Sequence, residues 1–297
     1  MRRRGDIGGE YVAEQIVVGF HPETALFPNL GVNKEYTVGN DVMHPILFRL
    51  GPFTLHTYGV FVAMAFLAAI GLSLKEARNV DEDPNKVLDL CFYMLIAGLI
   101  GSRILYVAVN WETFLRDPVE IIRVWHGGLV FYGGFLGACL AAVWYIKKEG
   151  LSAWKTADIL APSIALGQFI GRIGCFFAGC CYGKPCDLPW AVTFTDINSL
   201  APRGVALHPT QLYSSLNGLV IFLLLLLLRR YKSFQGQLFW AYVFLYAVSR
   251  SVIEIFRGDE RGMIIEGVLS TSQFIGIIMA GLAVVMLLVL RARHGGS

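Results

Sequence analysis

One arginine, Arg172, lies inside an apolar, glycine-punctuated stretch of the chain, residues 167–185. An arginine at bilayer depth is costly unless it is paired or faces a polar cavity, so such a residue indicates a functional site. Gly167, Gly171 and Gly174 recur at steps of four and three, which leaves one helix face bare for a neighbouring helix or a lipid head group. The stretch therefore predicts an anion-binding site. The alternative is that Arg172 pairs with a carboxylate on another helix.

A second charged group lies in the sixth apolar span. Four of its residues fall at steps of four, four and three, so they project from one arc of a helix: Tyr246, Arg250, Glu254 and Arg257. Arg250 and Glu254 could neutralise each other at this spacing. Arg172 and Arg103 lie on other spans, so the arginines outnumber the one obvious carboxylate. This excess predicts a net positive cavity that an anion completes.

Several polar side chains fall near the ends of apolar spans that we expect on the same side of a membrane: His56, Tyr58, His126, Tyr132, His208 and Gln211. Taken singly, each is typical of an anchor at the level of the lipid head groups. Taken together, they surround the end of the span that holds Arg172. Because His126 and Tyr132 are also embedded in glycines, they are candidates for proton transfer.

The composition indicates the class of protein. The chain has 297 residues, of which 55% are hydrophobic and 16% charged, and its mean hydropathy is +0.57. Soluble domains carry about 25% charged residues. Windows of about 20 apolar residues predict an all-α polytopic membrane protein. A net charge of +3, without a basic block among aromatic residues, excludes nucleic acid as a partner.

We predict about seven transmembrane helices, at residues 55–74, 87–109, 128–146, 159–177, 209–228, 238–256 and 271–290. A long loop at 178–207, with a strand-like segment at 190–194, follows the fourth. Residues 1–44 form a polar extension to which we assign no role, and residues 45–297 form one transmembrane domain. Lys and Arg are more frequent in the loops on one side, which predicts an outer N-terminus, an outer (periplasmic) long loop and a cytoplasmic C-terminus.

Five motifs, in this order and spacing, resemble those of the prolipoprotein diacylglyceryl transferase family: LGPFTLHTYG at 50–59, RVWHGGLVFYGG at 123–134, GRIG at 171–174, HPTQLY at 208–213 and YAVSRSVIEIFR at 246–257. The resemblance implies a seven-helix enzyme of the bacterial inner membrane. Such an enzyme moves the diacylglyceryl group of phosphatidylglycerol onto the lipobox cysteine thiol of a preprolipoprotein. The products are a thioether and glycerol phosphate. The resemblance implies no metal and no cofactor, and no metal-binding or nucleotide-binding motif is visible.

The resemblance also implies roles for particular residues. Arg172 matches the signature arginine that binds the phosphatidylglycerol head group. Other matching positions are candidates for substrate binding, His56 more weakly than the rest: His56, Tyr58, Gly183, Tyr246 and Glu254. The acceptor thiol needs a base or a positive field to become a thiolate, and the departing phosphate needs fixed positive charge. We therefore expect Arg172 and Arg250 to act on the phosphate as catalytic residues.

The chain departs from the family pattern at several positions. Cys175, Ala178 and Cys180 stand where the signature has polar residues, and Tyr132 stands where a histidine is usual. Tyr132 and His126 are therefore both candidate catalytic residues, with His126 as the replacement base. One alternative is a divergent paralogue that acts on another lipid or acceptor. Another is a transporter for an anionic lipid or metabolite, although no inverted repeat is visible.

The cysteines of the long loop call for a separate interpretation. Cys180, Cys181 and Cys186 are expected at the outer face, where oxidation is possible. Structural thiols or a short-loop disulfide are favoured over catalysis. A zinc site is not expected, because the loop offers no matching histidine.

Overall fold

The structure is a computed structural model that describes residues 17–18, 43–50, 53–123, 127–259, 263–265 and 269–295. Its helices, in chain order, are α1 (Thr57–Asn79), α2 (Pro84–Val109), α3 (Trp111–Arg116), α4 (Phe131–Lys148), α5 (Ala153–Ala178), α6 (Thr210–Arg229), α7 (Gln237–Glu254) and α8 (Thr271–Gly295). Its strands are β1 (Val17–Val18), β2 (Ile46–Leu50), β3 (Phe53–His56), β4 (Leu129–Val130), β5 (Val192–Thr193), β6 (Ala206–Leu207), β7 (Met263–Ile265) and β8 (Leu269–Ser270). The strands pair antiparallel as β1–β4, β2–β3, β5–β6 and β7–β8.

Each of the seven predicted spans contains one long helix. Within the described residues, five helices are long and apolar enough to cross a membrane: α1, α2, α5, α6 and the 271–294 part of α8. The other two, α4 and α7, have 18 residues each, and charged residues near their C-terminal ends make them less apolar. The chain is thus an all-α polytopic membrane protein, as predicted. The strand-like segment of the long loop is confirmed as β5.

The chain divides into two compact units, and each has its own packing. The first unit contains β1, α2, α3, β4 and α4. Glycines bring α2 and α4 together, because a Cβ atom on Gly101 would collide with the carbonyl of Gly133, and one on Gly133 would collide with that of Gly101. Such close backbone approach is how small residues pack helices in a membrane.

The second unit contains β2, β3, α1, α5–α8 and the remaining strands. The predicted bare face of α5 is confirmed, and helix α1 covers it. A Cβ atom on Gly167 would lie 3.6 Å from the Cβ of Ala69, and one on Gly174 would lie 2.8 Å from the Cβ of Phe61. A Cβ atom on Gly171 would have no neighbour within 4 Å among the described residues.

A buried carboxylate fixes the start of α7. Asp158, in α5, accepts hydrogen bonds from the backbone N–H of Gly236 at 2.7 Å and of Phe239 at 2.9 Å, and it pairs with Lys232 Nζ at 2.8 Å. Gly236 adopts a φ of 89°, which favours glycine. The cap satisfies the free N–H groups at the helix start. It therefore anchors the helix that carries the charged residues of the candidate site.

Candidate functional site

Arg172 lies in the last two turns of α5 and meets α7 at Tyr246. The guanidinium and the Tyr246 side chain form a hydrogen bond. Tyr246 in turn stacks on Tyr242, with ring centroids 5.9 Å apart, and the Tyr242 side chain hydrogen-bonds to Gln168. No carboxylate of the described residues forms an ion pair with Arg172. Most of its N–H donors are therefore available to a ligand.

The predicted pair of Arg250 and Glu254 is confirmed. Arg250 Nη1 forms an ion pair with Glu254 Oε2, one helical turn away. The other carboxylate oxygen accepts a hydrogen bond from Ser272 Oγ of α8 at 2.5 Å. Arg250 thus uses one N–H donor for Glu254, and its other N–H groups can donate to a ligand.

Arg257 does not continue the arc of α7, contrary to the sequence prediction. The helix ends at Glu254, and Arg257 lies beyond it in a β-bridge with Gly183. Its Nε and Nη2 atoms contact the two carboxylate oxygens of Asp259 at 2.8 and 2.6 Å. The pairing is bidentate, which fixes both side chains. Asp259 was not among the residues predicted from the sequence, although its position two residues after Arg257 was a signal for such a pair.

The charges of this group leave one guanidinium in excess. It contains three arginines, at 172, 250 and 257, and two carboxylates, at 254 and 259. Arg250 and Arg257 each face a carboxylate, whereas Arg172 contacts a tyrosine. The positive excess that the sequence predicts is therefore present, and it belongs to Arg172.

Gly183 joins the two segments that flank the site. Its N–H donates to the carbonyl of His208 at 3.0 Å, while the N–H of Lys184 donates to the carbonyl of Phe256 at 2.8 Å. A Cβ atom at Gly183 would lie 2.5 Å from the Cβ of His208 and 2.8 Å from the carbonyl oxygen of Phe256. Only glycine fits where these backbones cross. This crossing places the residues after α5 next to Arg257.

The entrance to α1 carries two further predicted residues. His56 is the last residue of β3 and directly precedes the helix, and Tyr58 is the second residue of α1. The carbonyl oxygen of Tyr58 lies 3.3 Å from the Cβ position of Gly174, and its phenol is within electrostatic range of Arg172. The structure thus brings Tyr58 to the Arg172 group.

The first unit contains Tyr132, and His126 lies outside the described residues. Tyr132 is the second residue of α4, its surface is 47% exposed, and its ring meets that of Phe131 edge-on at 5.8 Å. Its role as a catalytic candidate stays a prediction.

Arg103, also in the first unit, was predicted to contribute to the excess of positive charge, and this prediction was wrong. Its guanidinium donates to the carbonyls of Ile121 at 3.0 Å, Gly127 at 2.6 Å and Gly128 at 3.1 Å, and also to that of Glu120. Its donors hold the backbone at residues 120–121, after α3, and at residues 127–128, before β4. The residue therefore has a structural role.

Three cysteines come together after Arg172. The Sγ atoms of Cys175, Cys180 and Cys181 all lie within 4.8 Å of one another, and no disulfide joins any of the six cysteines, all of which the structure describes. Cys175, from the last turn of α5, thus lies next to Cys180 and Cys181. Arg257 and Arg172 both lie within electrostatic range of Cys181. The hydrogen bond with Cys175 raises the pKa of Cys180.

Comparison with known proteins identifies the family. A family model described as prolipoprotein diacylglyceryl transferase matches residues 45–289. A protein of Clostridium tetani named phosphatidylglycerol–prolipoprotein diacylglyceryl transferase is 38% identical over 235 residues, which cover 79% of this chain and 93% of the relative. Proteins of the same name from Synechococcus elongatus and Bacillus velezensis are 36% and 33% identical, and the matches cover 79% and 84% of this chain and 83% and 93% of those relatives.

The matched region includes every element that contributes to the Arg172 group, from His56 before α1 to Ser272 in α8. Both the extent of the match and the similarity of the relatives agree with the motifs. The chain belongs to the prolipoprotein diacylglyceryl transferase family.

Proposed function

We propose that this chain transfers the diacylglyceryl group of phosphatidylglycerol to the lipobox cysteine thiol of preprolipoproteins. The transferase domain comprises residues 45–297, and residues 1–44 have no assigned role. One observation carries the proposal: Arg172 has no carboxylate partner among the described residues, in a group that has one guanidinium in excess. A phosphodiester carries one negative charge, so a lipid phosphate matches this excess.

The reaction forms a C–S bond and breaks a C–O bond. The acceptor thiolate attacks the glycerol carbon of the lipid, and glycerol phosphate leaves with the electron pair of the C–O bond. Negative charge grows on the phosphate oxygen as this bond breaks, so fixed donors around the phosphate lower the barrier. Arg172 and Arg250 have unused N–H donors for this purpose, whereas Arg257 is fixed by Asp259.

The remaining candidates would position the substrates. Tyr246 and Glu254 each hold one of the two arginines by a hydrogen bond or an ion pair. Gly183 keeps the neighbouring backbones close, and Tyr58 and His56 lie at the entrance of α1. We assign removal of the proton from the acceptor thiol to His126 or Tyr132. Alternatively, the field of the arginines alone favours the thiolate.

The proposed place of the enzyme is the bacterial inner membrane, with the N-terminus outside and the C-terminus in the cytoplasm. The distribution of Lys and Arg in the loops supports this orientation. Labelling of single engineered cysteines in intact cells measures it. Labelling of a cysteine at position 291 from outside the cell would contradict it.

The decisive experiment combines the purified full-length chain, phosphatidylglycerol and a lipobox peptide, and follows the thioether product by mass. A peptide with serine in place of the cysteine is the matched control. Product with the cysteine peptide alone supports the proposal. If only another phospholipid or another acceptor reacts, the chain is a paralogue with a different substrate. If neither reacts, the transferase proposal is wrong.

A further inference from the structure

The three neighbouring thiols of Cys175, Cys180 and Cys181 have no role in the proposed reaction. Their sulfur atoms lie within 4.8 Å of one another. Three thiolates around one tetrahedral zinc ion, with Zn–S bonds of about 2.3 Å, stand about 3.8 Å apart. The thiols therefore need to approach by only about 1 Å to share one ion.

The backbone of this group is held in place by buried side chains. Thr210 Oγ1 donates to the carbonyl of Cys181 at 2.7 Å, and Gln211 Nε2 donates to that of Cys180 at 2.8 Å. Both side chains are fully buried at the start of α6. Cys181 has a φ of 62°, a conformation that residues other than glycine rarely adopt. The chain is thus held in an unfavourable conformation that brings two adjacent thiols to Cys175.

The side-chain amide of Gln211 also has a buried acceptor that lacks a donor. Gln211 Oε1 accepts no hydrogen bond from the described part of the chain, although Nε2 of the same amide donates to the carbonyl of Cys180. A buried acceptor without a donor is uncommon. A water molecule bound to an ion at the thiols would supply such a donor.

We propose that Cys175, Cys180 and Cys181 bind one thiophilic divalent cation of the zinc type through three thiolates, and that this ion competes with the lipid phosphate at Arg172. The fourth position of the ion is left to water, as is usual where only three protein ligands are present. No protein residue beyond the three cysteines is needed.

The charges at the three thiols and the arginines decide whether a bound ion strengthens or weakens phosphate binding at Arg172. Three thiolates and Zn²⁺ together carry one negative charge. Arg257 is paired with Asp259 and also interacts with Cys181, whereas Arg172, which is within electrostatic range of Cys175 and Cys181, has no carboxylate partner among the described residues. The bound ion and its thiolates therefore neutralise the charge that would attract a phosphate. By linkage, phosphatidylglycerol must weaken binding of the ion by the same factor.

Binding is measured on the full chain in detergent, without substrate. Titration with Co²⁺, a spectroscopic substitute for Zn²⁺, should give thiolate-to-metal absorption that saturates at one ion per chain. Zinc should also protect the three cysteines of the unaltered protein from maleimide, but not Cys186. Cys175→Ser, Cys180→Ser and Cys181→Ser should each weaken binding by about 100-fold or more, because loss of an outer-sphere partner alone costs up to about that factor. Cys186→Ser, in the same loop, is the matched control.

Competition is measured with vesicles, and this arm rests on the proposed function. Phosphatidylglycerol vesicles should weaken zinc binding by about 5–150-fold, the usual range for coupled sites, and phosphatidylcholine vesicles should not. In the transfer assay, zinc should raise the apparent KM for phosphatidylglycerol and leave that for the peptide unchanged.

Three results would overturn the inference: no stoichiometric ion, equal protection of Cys186, or zinc binding that phosphatidylglycerol leaves unchanged. Failure of the transfer reaction gives a different pattern. A chain that binds zinc through the three thiols in competition with phosphatidylglycerol, but makes no thioether, supports the inference and refutes the transferase proposal. A chain that makes thioether but does not bind zinc supports the transferase proposal and refutes the inference.

Discussion

Arg103 and Arg172 are both arginines within apolar helices, yet their surroundings differ. Arg103, in the first unit, is 7% exposed and donates to several backbone carbonyls, and its guanidinium also lies 5.4 Å from the ring centroid of Tyr106. Arg172, in the second unit, has a hydrogen bond to Tyr246. Two arginines within apolar helices thus differ in the contacts that their guanidinium groups make. The expectation that Arg172 binds a ligand depends on this difference, which the following variants test.

The largest effect on the transfer rate per folded molecule is expected for Arg172→Ala. Removal of one fixed donor costs about 10²–10³ in rate, and Arg172 offers several donors to the phosphate, so we expect a loss of at least about 10³-fold. Arg172→Lys should recover the activity only in part, because a point charge cannot bind phosphate in a bidentate manner. The measurement is thioether formation by purified protein, with the exposed Arg291→Ala as control. If Arg172→Ala had near wild-type activity, Arg172 would have a structural role like that of Arg103.

Arg250→Ala is expected to have the next largest effect, a loss of about 10²-fold or more. Its guanidinium is shared between Glu254 and the proposed phosphate, so the variant also leaves Glu254 without its closest partner. Arg250→Ala combined with Glu254→Gln separates the two causes. Recovery of the rate in the double variant would mean that Arg250 only neutralises Glu254.

His126→Gln tests the proton chemistry across pH 6 to 9. A general base contributes about 10²–10⁴ to rate, whereas an anchor at the head-group level contributes little. We expect a loss of about 10²-fold that becomes smaller at high pH, where the acceptor thiol ionises unaided. Tyr132→His, measured separately, restores the residue that the family pattern has there. An unchanged rate and pH profile in His126→Gln would leave thiol activation to the arginines.

Arg103→Ala should have the smallest effect on the rate per folded molecule and a large effect on stability. It removes the donor of the buried carbonyl of Gly128 and those of several partly buried carbonyls, which costs about 2 kcal/mol or more in the free energy of unfolding. The measurement is the thermal unfolding midpoint in detergent, together with the rate of the folded fraction. A stable Arg103→Ala protein that had lost transfer would remove the contrast between the two arginines.

The sequence predicted those features that depend on helix periodicity. The positions of the long helices, the bare face at Gly167 and Gly174, and the pair of Arg250 and Glu254 follow from spacing along a helix. Apolar runs of membrane length also identified the protein class.

Features that depend on backbone geometry between helices were not predictable. The carbonyls around Arg103 belong to residues 120, 121, 127 and 128, which no helix spacing in the sequence brings together. Arg257 leaves the arc of α7 because the helix ends at Glu254 and its backbone pairs with Gly183. Cys175 joins Cys180 and Cys181 because the chain turns back at Gly179, with a φ of 75°, and at Cys181. Each depends on dihedral angles that residue types alone leave open.

The crossing at Gly183 has a consequence for how the long loop can evolve. Backbone hydrogen bonds close the base of this loop, from Gly183 to His208 at 3.0 Å and from Cys186 to Ala206 at 3.0 Å. At its far end, Ile197 is 78% exposed in a turn that begins at Asp196. The loop also returns to the end of α5, where the N–H of Leu200 donates to the carbonyl of Ala178 at 3.1 Å. Only exposed positions between these ties, such as Ile197, therefore accept insertions without moving the backbone beside the site.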